Sequence, residues 1–302
     1  MVKINFGLMI PGHRADQLGR GDFVSNVNLA LEAASGHFDS AWMIDHLETL
    51  ESFTTLSYLT GIHPSFKFGH SVICQSFRSP ALVARMAATL QFLSGGRYIL
   101  GIGTGWNEEE YKANGYDFPP AGVRVYQLEE ALQIIQAMWR EPQATFHGKY
   151  YRIEGARCEP RPDPLPPILV GAFKPRMLRL AARWADDWNV SSTAIEKYRR
   201  LAEEFNLACQ SIGRDPLSVG RSWGAGCAIA SSQMEAERLA AERFTAGGEE
   251  NFDLVGSPAQ LVAQMQPFIE LGVGSFILDF ADFPNLKGLR LFIEEVIPAL
   301  HR

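Results

Sequence analysis

Short runs of apolar and β-branched residues alternate along the chain with longer segments whose apolar positions recur every three to four residues. This is the pattern of parallel strands joined by crossover helices. The strand-like runs cover residues 4–9, 40–44, 67–73, 98–103, 168–171, 187–190, 219–230 and 275–279. Eight strands alternating with helices predict an α/β chain folded as a closed (β/α)8 TIM barrel rather than an open doubly wound sheet.

The helical stripes carry their own punctuation. Ser79 stands as an N-cap before Pro80 at the first helical position, Leu82, Val83, Met86 and Leu90 follow on one face, and Gly95-Gly96 ends the segment. Residues 124–139 place Val125, Leu128, Leu132, Ile135 and Met138 at helical spacing, and Leu289, Phe292, Ile293, Val296, Ile297 and Leu300 repeat the stripe near the end. Ser257-Pro258 opens another helix, closed by Gly272. Two stretches around the fourth and fifth strands exceed the minimal repeat. Residues 104–122 form a long link with a small helix in it, and residues 144–167 alternate Phe146, Tyr150 and Ile153 before a Pro-rich exit, which predicts an excursion of short strands.

Composition agrees with one barrel domain spanning residues 1–302. The chain has 302 residues, 46% of them hydrophobic and 21% charged, enough for a large core. No apolar run approaches the roughly 18 residues of a membrane-spanning helix and no signal-peptide pattern opens the chain, so a cytoplasmic protein is expected. A net charge of −6 without a Lys/Arg run argues against nucleic-acid partners and for a small-molecule substrate. Cys74, Cys158, Cys209 and Cys227 are scattered without a C-x-x-C pair, so neither a disulfide framework nor a zinc site is indicated, and no histidine pair has metal-ligand spacing.

In a barrel of this kind the chemistry sits just after the strands. After the second strand come Asp45 and His46. The imidazole titrates near neutral pH and can relay a proton, while the carboxylate accepts hydrogen bonds; a merely structural loop pair is the alternative. After the fourth strand, Gly103, Thr104 and Gly105 precede Trp106 and Asn107, and glycines there let backbone approach a flat ligand. The acids that follow, Glu108 to Glu110, suit a helix start and would repel a pyrophosphate, so a ring is expected beside these glycines. After the fifth strand, Gly171, Ala172 and Phe173 lead into Lys174, Pro175 and Arg176, a helix start with cations that suits a phosphate.

Four segments in order, FDSAWMIDH (38–46), RSPALVARMAATLQFLSGGR (78–97), GIGTGWNEEEY (101–111) and LRLAARWADDWN (178–189), resemble the luciferase-like flavin and deazaflavin oxidoreductases, the bacterial-luciferase-like monooxygenase superfamily. The resemblance implies a barrel holding its coenzyme at the C-terminal mouth. In the branch using the deazaflavin coenzyme F420, it implies a hydride-transferring oxidoreductase with His46 beside the hydride-carrying carbon and Asp45 on the ring's phenolic edge. It also implies a non-proline cis peptide at Ser71-Val72 behind the ring, Gly103, Thr104 and Gly105 along the ring and ribityl chain, and Gly171, Ala172 and Phe173 at the phosphate. A homodimer is expected on the same ground. Alternatives are a two-component monooxygenase using reduced FMN and oxygen, and a non-catalytic flavin-binding protein. Where the sugar-phosphate dehydrogenases of the superfamily place an acid after the strand-four glycines, this chain has Trp106, which stands with Trp42 and Phe77 as a candidate wall for an apolar substrate or as ordinary core.

Overall fold

The computed structural model describes residues 4–12, 15–243 and 253–301. The chain divides into two compact units, one of residues 43–186 and one joining residues 1–42 to residues 187–302. Elements follow the order β1 (Asn5–Met9), α1 (Ala15–Leu18), α2 (Arg20–Ala34), β2 (Ser40–Met43), α3 (Ser52–Ile62), β3 (Lys67–His70), β4 (Ile73–Cys74), α4 (Pro80–Leu93), β5 (Tyr98–Gly103) and α5 (Glu108–Ala113). Then come α6 (Ala121–Arg140), β6 (Ala144–His147), β7 (Arg152–Ala156), β8 (Ile168–Gly171), α7 (Pro175–Trp184), β9 (Asp187–Ser191), α8 (Ile195–Gln210), β10 (Gly220–Ile229), α9 (Gln233–Arg243), β11 (Leu254–Gly256), α10 (Pro258–Glu270), β12 (Ser275–Phe280), α11 (Lys287–Leu291) and α12 (Ile297–Leu300). The eight expected strands are present as β1, β2, β3 with β4, β5, β8, β9, β10 and β12.

In the unit of residues 43–186, β5 is the central strand. It pairs in parallel with β3 (Phe68 opposite Tyr98), with β4 (Ile73 opposite Ile102) and with β8 (Leu100 opposite Ile168). The interruption between β3 and β4 falls at Ser71-Val72, whose peptide bond is cis. The Ser71 N–H donates to the Met43 carbonyl at 3.0 Å, which fixes the end of β2 beside this break. Helix α4 starts as its sequence requires, with the Ser79 hydroxyl accepting from the Leu82 N–H at 3.3 Å and Pro80 in the first turn. It buries Val83, Ala84, Ala87, Ala88 and Leu90, and α6 buries Leu128, Leu132, Ile135 and Met138. The small alanines let α6 come close, and the Trp139 indole N–H reaches the Ala84 carbonyl at 3.0 Å.

The excursion is the antiparallel pair β6 and β7. Its turn is held by Glu130 of α6, whose carboxylate accepts the backbone N–H groups of Lys149, Tyr150 and Tyr151 at 2.7, 2.9 and 2.9 Å. Tyr151 also bonds Gln75 through its hydroxyl at 2.9 Å.

In the other unit β1 pairs with β12 (Phe6 opposite Phe276) and with the first residues of β2 (Gly7 opposite Ser40). β10 pairs with β12, β9 and the short β11. The core here is aromatic: Phe6 meets Phe292 edge-on at 5.4 Å, and Trp188 stacks on Phe205 at 4.5 Å. The Ser257-Pro258 start is a full capping box with Gln260. The last apolar stripe departs from a continuous α-helix. It runs as α11, a π-turn over Phe292–Val296, and α12, because Pro298 has no N–H to continue the ladder and the chain rewinds ahead of it.

Candidate active site

The chain leaves β2 through Ile44, Asp45 and His46, and the two candidate residues go to different partners. Asp45 is buried and turned into the protein. Arg78 grips both its oxygens at 2.8 and 2.9 Å, the Ser52 hydroxyl donates at 2.7 Å, and the Cys74 N–H donates at 3.2 Å. Four donors occupy a group with about four acceptor directions. Burial acts to raise the Asp45 pKa, but the bonds and charge of Arg78 outweigh it and hold the carboxyl below its ordinary 3.8. Arg78 also pairs with Glu51 at 2.7 Å, so it ties the loop after β2 to the start of α3. Asp45, expected at the edge of a bound ring, thus has its carboxylate engaged by four donors of the protein itself.

His46 faces outward. Its Nδ1 lies 3.2 Å from both oxygens of Glu110, and Oε1 of the same carboxylate accepts the Leu47 N–H at 2.5 Å. The Glu110 side chain is 5% exposed and the His46 side chain 33%. A carboxylate offers only acceptors, so Nδ1 donates to it and Nε2 is the ring nitrogen left for another partner. Glu110 is placed by Asn107, which caps α5 and accepts the Glu110 N–H at 3.3 Å. The Trp106 ring stands perpendicular to His46, at 89° and 6.3 Å between centroids.

The glycines expected to flank a ligand serve packing as well. A Cβ on Gly103 would come within 2.8 Å of a Val72 methyl, one on Gly101 would collide with the His70 carbonyl, and one on Gly171 would lie 3.5 Å from Val72. Val72 thus occupies space left by β5 and β8, directly after the cis bond. Gly105 adopts φ of +71° against Tyr111 and Cys74, which are themselves 2.8 Å apart through Oη and Sγ. Tyr111 also bonds the Thr104 carbonyl at 3.2 Å.

At the end of β8, Ala172 is buried and Phe173 exposed, and α7 begins at Pro175 with exposed Lys174 and Arg176 at its start. The carboxyl ends of β2, β3, β5 and β8 therefore carry Asp45-His46, Ser71-Val72, Gly103 to Gly105 and Gly171 to Phe173 within one unit. Sequence reasoning missed Glu110 and Arg78.

The model of the luciferase-like monooxygenase family matches residues 4–260. An F420-dependent glucose-6-phosphate dehydrogenase of Amycolatopsis mediterranei (strain U-32) is 26% identical over 323 residues, covering 95% of this chain and 96% of that protein. An F420-dependent hydroxymycolic acid dehydrogenase of Mycobacterium tuberculosis (strain ATCC 25618 / H37Rv) is 31% identical over 227 residues, covering 72% of this chain and 62% of that protein. Among solved structures, an F420-dependent secondary alcohol dehydrogenase in complex with an F420-acetone adduct superposes with a TM-score of 0.85 at 19% identity, covering 99% of each chain. The coenzyme F420-dependent tetrahydromethanopterin reductase of Methanopyrus kandleri gives 0.82 at 18% identity, again covering 99% of each chain. The fold is the expected (β/α)8 barrel. With the family model spanning most of its length, the chain belongs to the luciferase-like monooxygenase family.

Proposed function

We propose that this protein is an F420-dependent oxidoreductase, a single-domain cytoplasmic homodimer that moves a hydride between the deazaflavin coenzyme and a small organic substrate. The observation that carries the reading is His46, held at Nδ1 by the buried Glu110 carboxylate with its side chain 33% exposed. The F420-dependent relatives that cover nearly the whole chain support the choice of coenzyme.

The residues fit such a group. Gly103 to Gly105 bring backbone rather than side chains to the end of β5, and the β8–α7 junction offers amides at a helix start with Lys174 and Arg176 nearby. Gly103, Thr104 and Gly105 would lie along the ring, Ser71-Val72 behind it, and Gly171, Ala172 and Phe173 at the phosphate. Asp45 belongs to this set as a positioning residue: through Arg78, Ser52 and Cys74 it holds the loop that presents His46.

When bound, the deazaflavin supplies a carbon that takes up or returns a hydride. The protein handles the accompanying proton. In the oxidising direction the Nε2 lone pair accepts the proton of the substrate hydroxyl as its C–H pair departs and the C=O forms; in the reverse direction imidazolium returns the proton to the carbonyl oxygen. Glu110 keeps the tautomer correct and faces the positive charge that develops on the ring.

The test is F420 binding by fluorescence quenching, followed by single-turnover bleaching of the coenzyme with an alcohol donor, for wild type and His46→Ala. His46→Ala should lower turnover by about 10² to 10⁴ with coenzyme affinity within a few-fold. Equal rates would remove His46 from the chemistry. The family's monooxygenase members support a second reading, chemistry on reduced FMN; preferential binding of FMN over F420 would favour it.

A further inference from the structure

We infer that Trp106 is the substrate-contacting wall of this site, and that the substrate is an alcohol or ketone whose reacting carbon bears a flat or branched apolar group rather than a phosphorylated sugar. The inference rests on the hydride-transfer reading above.

Three aromatic residues stand near the candidate strand ends, and the structure separates them. Trp42 is 4% exposed and spends its indole N–H on the Ser40 hydroxyl at 2.7 Å; Phe77 is 7% exposed and packs with Cys74 and Tyr111. Both are core. Trp106 is 75% exposed. Leaving so large an apolar surface in water does nothing for folding.

Nor is its position loose. The residue before it is Gly105, whose positive φ and close packing against Tyr111 and Cys74 exclude any side chain there. The residue after it is Asn107, the cap of α5. The backbone of Trp106 is thereby held on both sides, and the indole stands perpendicular to the imidazole at 6.3 Å.

The two rings form a corner that one small molecule spans. With Nδ1 committed to Glu110, a substrate oxygen bonds Nε2, and the group on the reacting carbon lies against the indole. An aryl or branched alkyl group gains by covering that surface. A polyhydroxylated, phosphorylated chain would surrender hydration to an apolar face, and the Glu110 carboxylate beside His46 adds a charge of the phosphate's own sign.

The test uses the F420-loaded protein with 1-phenylethanol, 2-propanol and glucose-6-phosphate as donors, in wild type, Trp106→Ala and Trp106→Phe. Wild type should favour 1-phenylethanol by kcat/KM. Trp106→Ala should raise KM for 1-phenylethanol about 10- to 100-fold and for 2-propanol only a few-fold, with Trp106→Phe recovering most of the loss. Calorimetric titration with acetophenone should show the same order of affinities without turnover.

Better turnover of glucose-6-phosphate, an unchanged donor ratio in Trp106→Ala, or F420 bound but bleached by none of the three donors would overturn the inference. So would Trp106→Ala converting a wild-type dimer to monomers in sedimentation, since the indole would then be covered by a second copy. Failure of wild type to bind F420 would instead overturn the functional reading beneath it.

Discussion

The Nδ1 of His46 and the carboxylate of Glu110, 64 residues apart in the chain, meet at 3.2 Å with the carboxylate buried and the imidazole accessible. The pair sets which nitrogen of the histidine faces outward. Glu110→Gln keeps the shape and removes the charge. Turnover should fall about 10- to 100-fold with KM and F420 affinity nearly unchanged, since the lost interaction matters most when the ring becomes positive. Steady-state kinetics check this, and a change confined to KM would contradict it.

Arg78 and Asp45 form a buried pair whose disruption should depend on pH. In wild type the Asp45 carboxyl sits below 3.8, so its stabilising contribution is present above the unfolded pKa and lost as pH falls through the lower folded value. Arg78→Met leaves that carboxylate buried without its cation. The variant should lose about 3 kcal/mol at pH 7. With Arg78 gone, burial raises the Asp45 pKa, so the deficit should shrink by pH 4.5 as the group protonates. Urea unfolding at the two pH values measures both quantities.

His70 adds a second loss of stability on acidification, at higher pH. It is fully buried, its Nδ1 shares a hydrogen bond with the Tyr98 hydroxyl at 2.8 Å, and its Nε2 has no hydrogen-bond partner. Burial lowers its pKa from 6.5 to about 4. The unfolded chain therefore binds a proton that the folded one refuses between those values, and stability falls as pH drops through that window. Between pH 7 and pH 5 wild type should lose about 2 kcal/mol more than His70→Gln, whatever the variant costs at pH 7. Parallel curves would show that His70 does not titrate this way.

Gly103 and Val72 should be energetically coupled. Gly103→Ala places a methyl 2.8 Å from a Val72 methyl and should destabilise by roughly 1 to 3 kcal/mol. In the Val72→Ala background the same change should cost at least about 0.5 kcal/mol less. An additive double mutant, read from denaturation midpoints, would place the clash elsewhere.

Much of this architecture was legible in hydrophobic periodicity. The strand runs over 40–44, 98–103 and 168–171 are visible because each is a short apolar stretch bounded by turn chemistry, and Ser79-Pro80 announces its helix. β11 was not, because Leu254–Gly256 is three residues long and has no period to read. Glu110 was hidden for a different reason. Three residues after Asn107, it occupies the place where a capping-box acid is expected, and that local explanation was sufficient until folding turned its side chain away from the cap and onto His46 and Leu47. Asp45 and Arg78 show the same limit: contact across 33 residues decides whether a carboxylate faces a ligand or the core.

The turn between β6 and β7 owes its place to a group outside it. Because the Glu130 carboxylate satisfies the amides of three successive residues and the Tyr151 hydroxyl bonds Gln75, the turn is held without a hydrogen bond from the side chains of Lys149 and Tyr150. The segment is therefore an interchangeable part. Positions 149 and 150 can be rewritten so long as the helix keeps its glutamate, Tyr151 keeps its bond to Gln75, and Gly148, whose Cβ position that carboxylate fills, is left as it is.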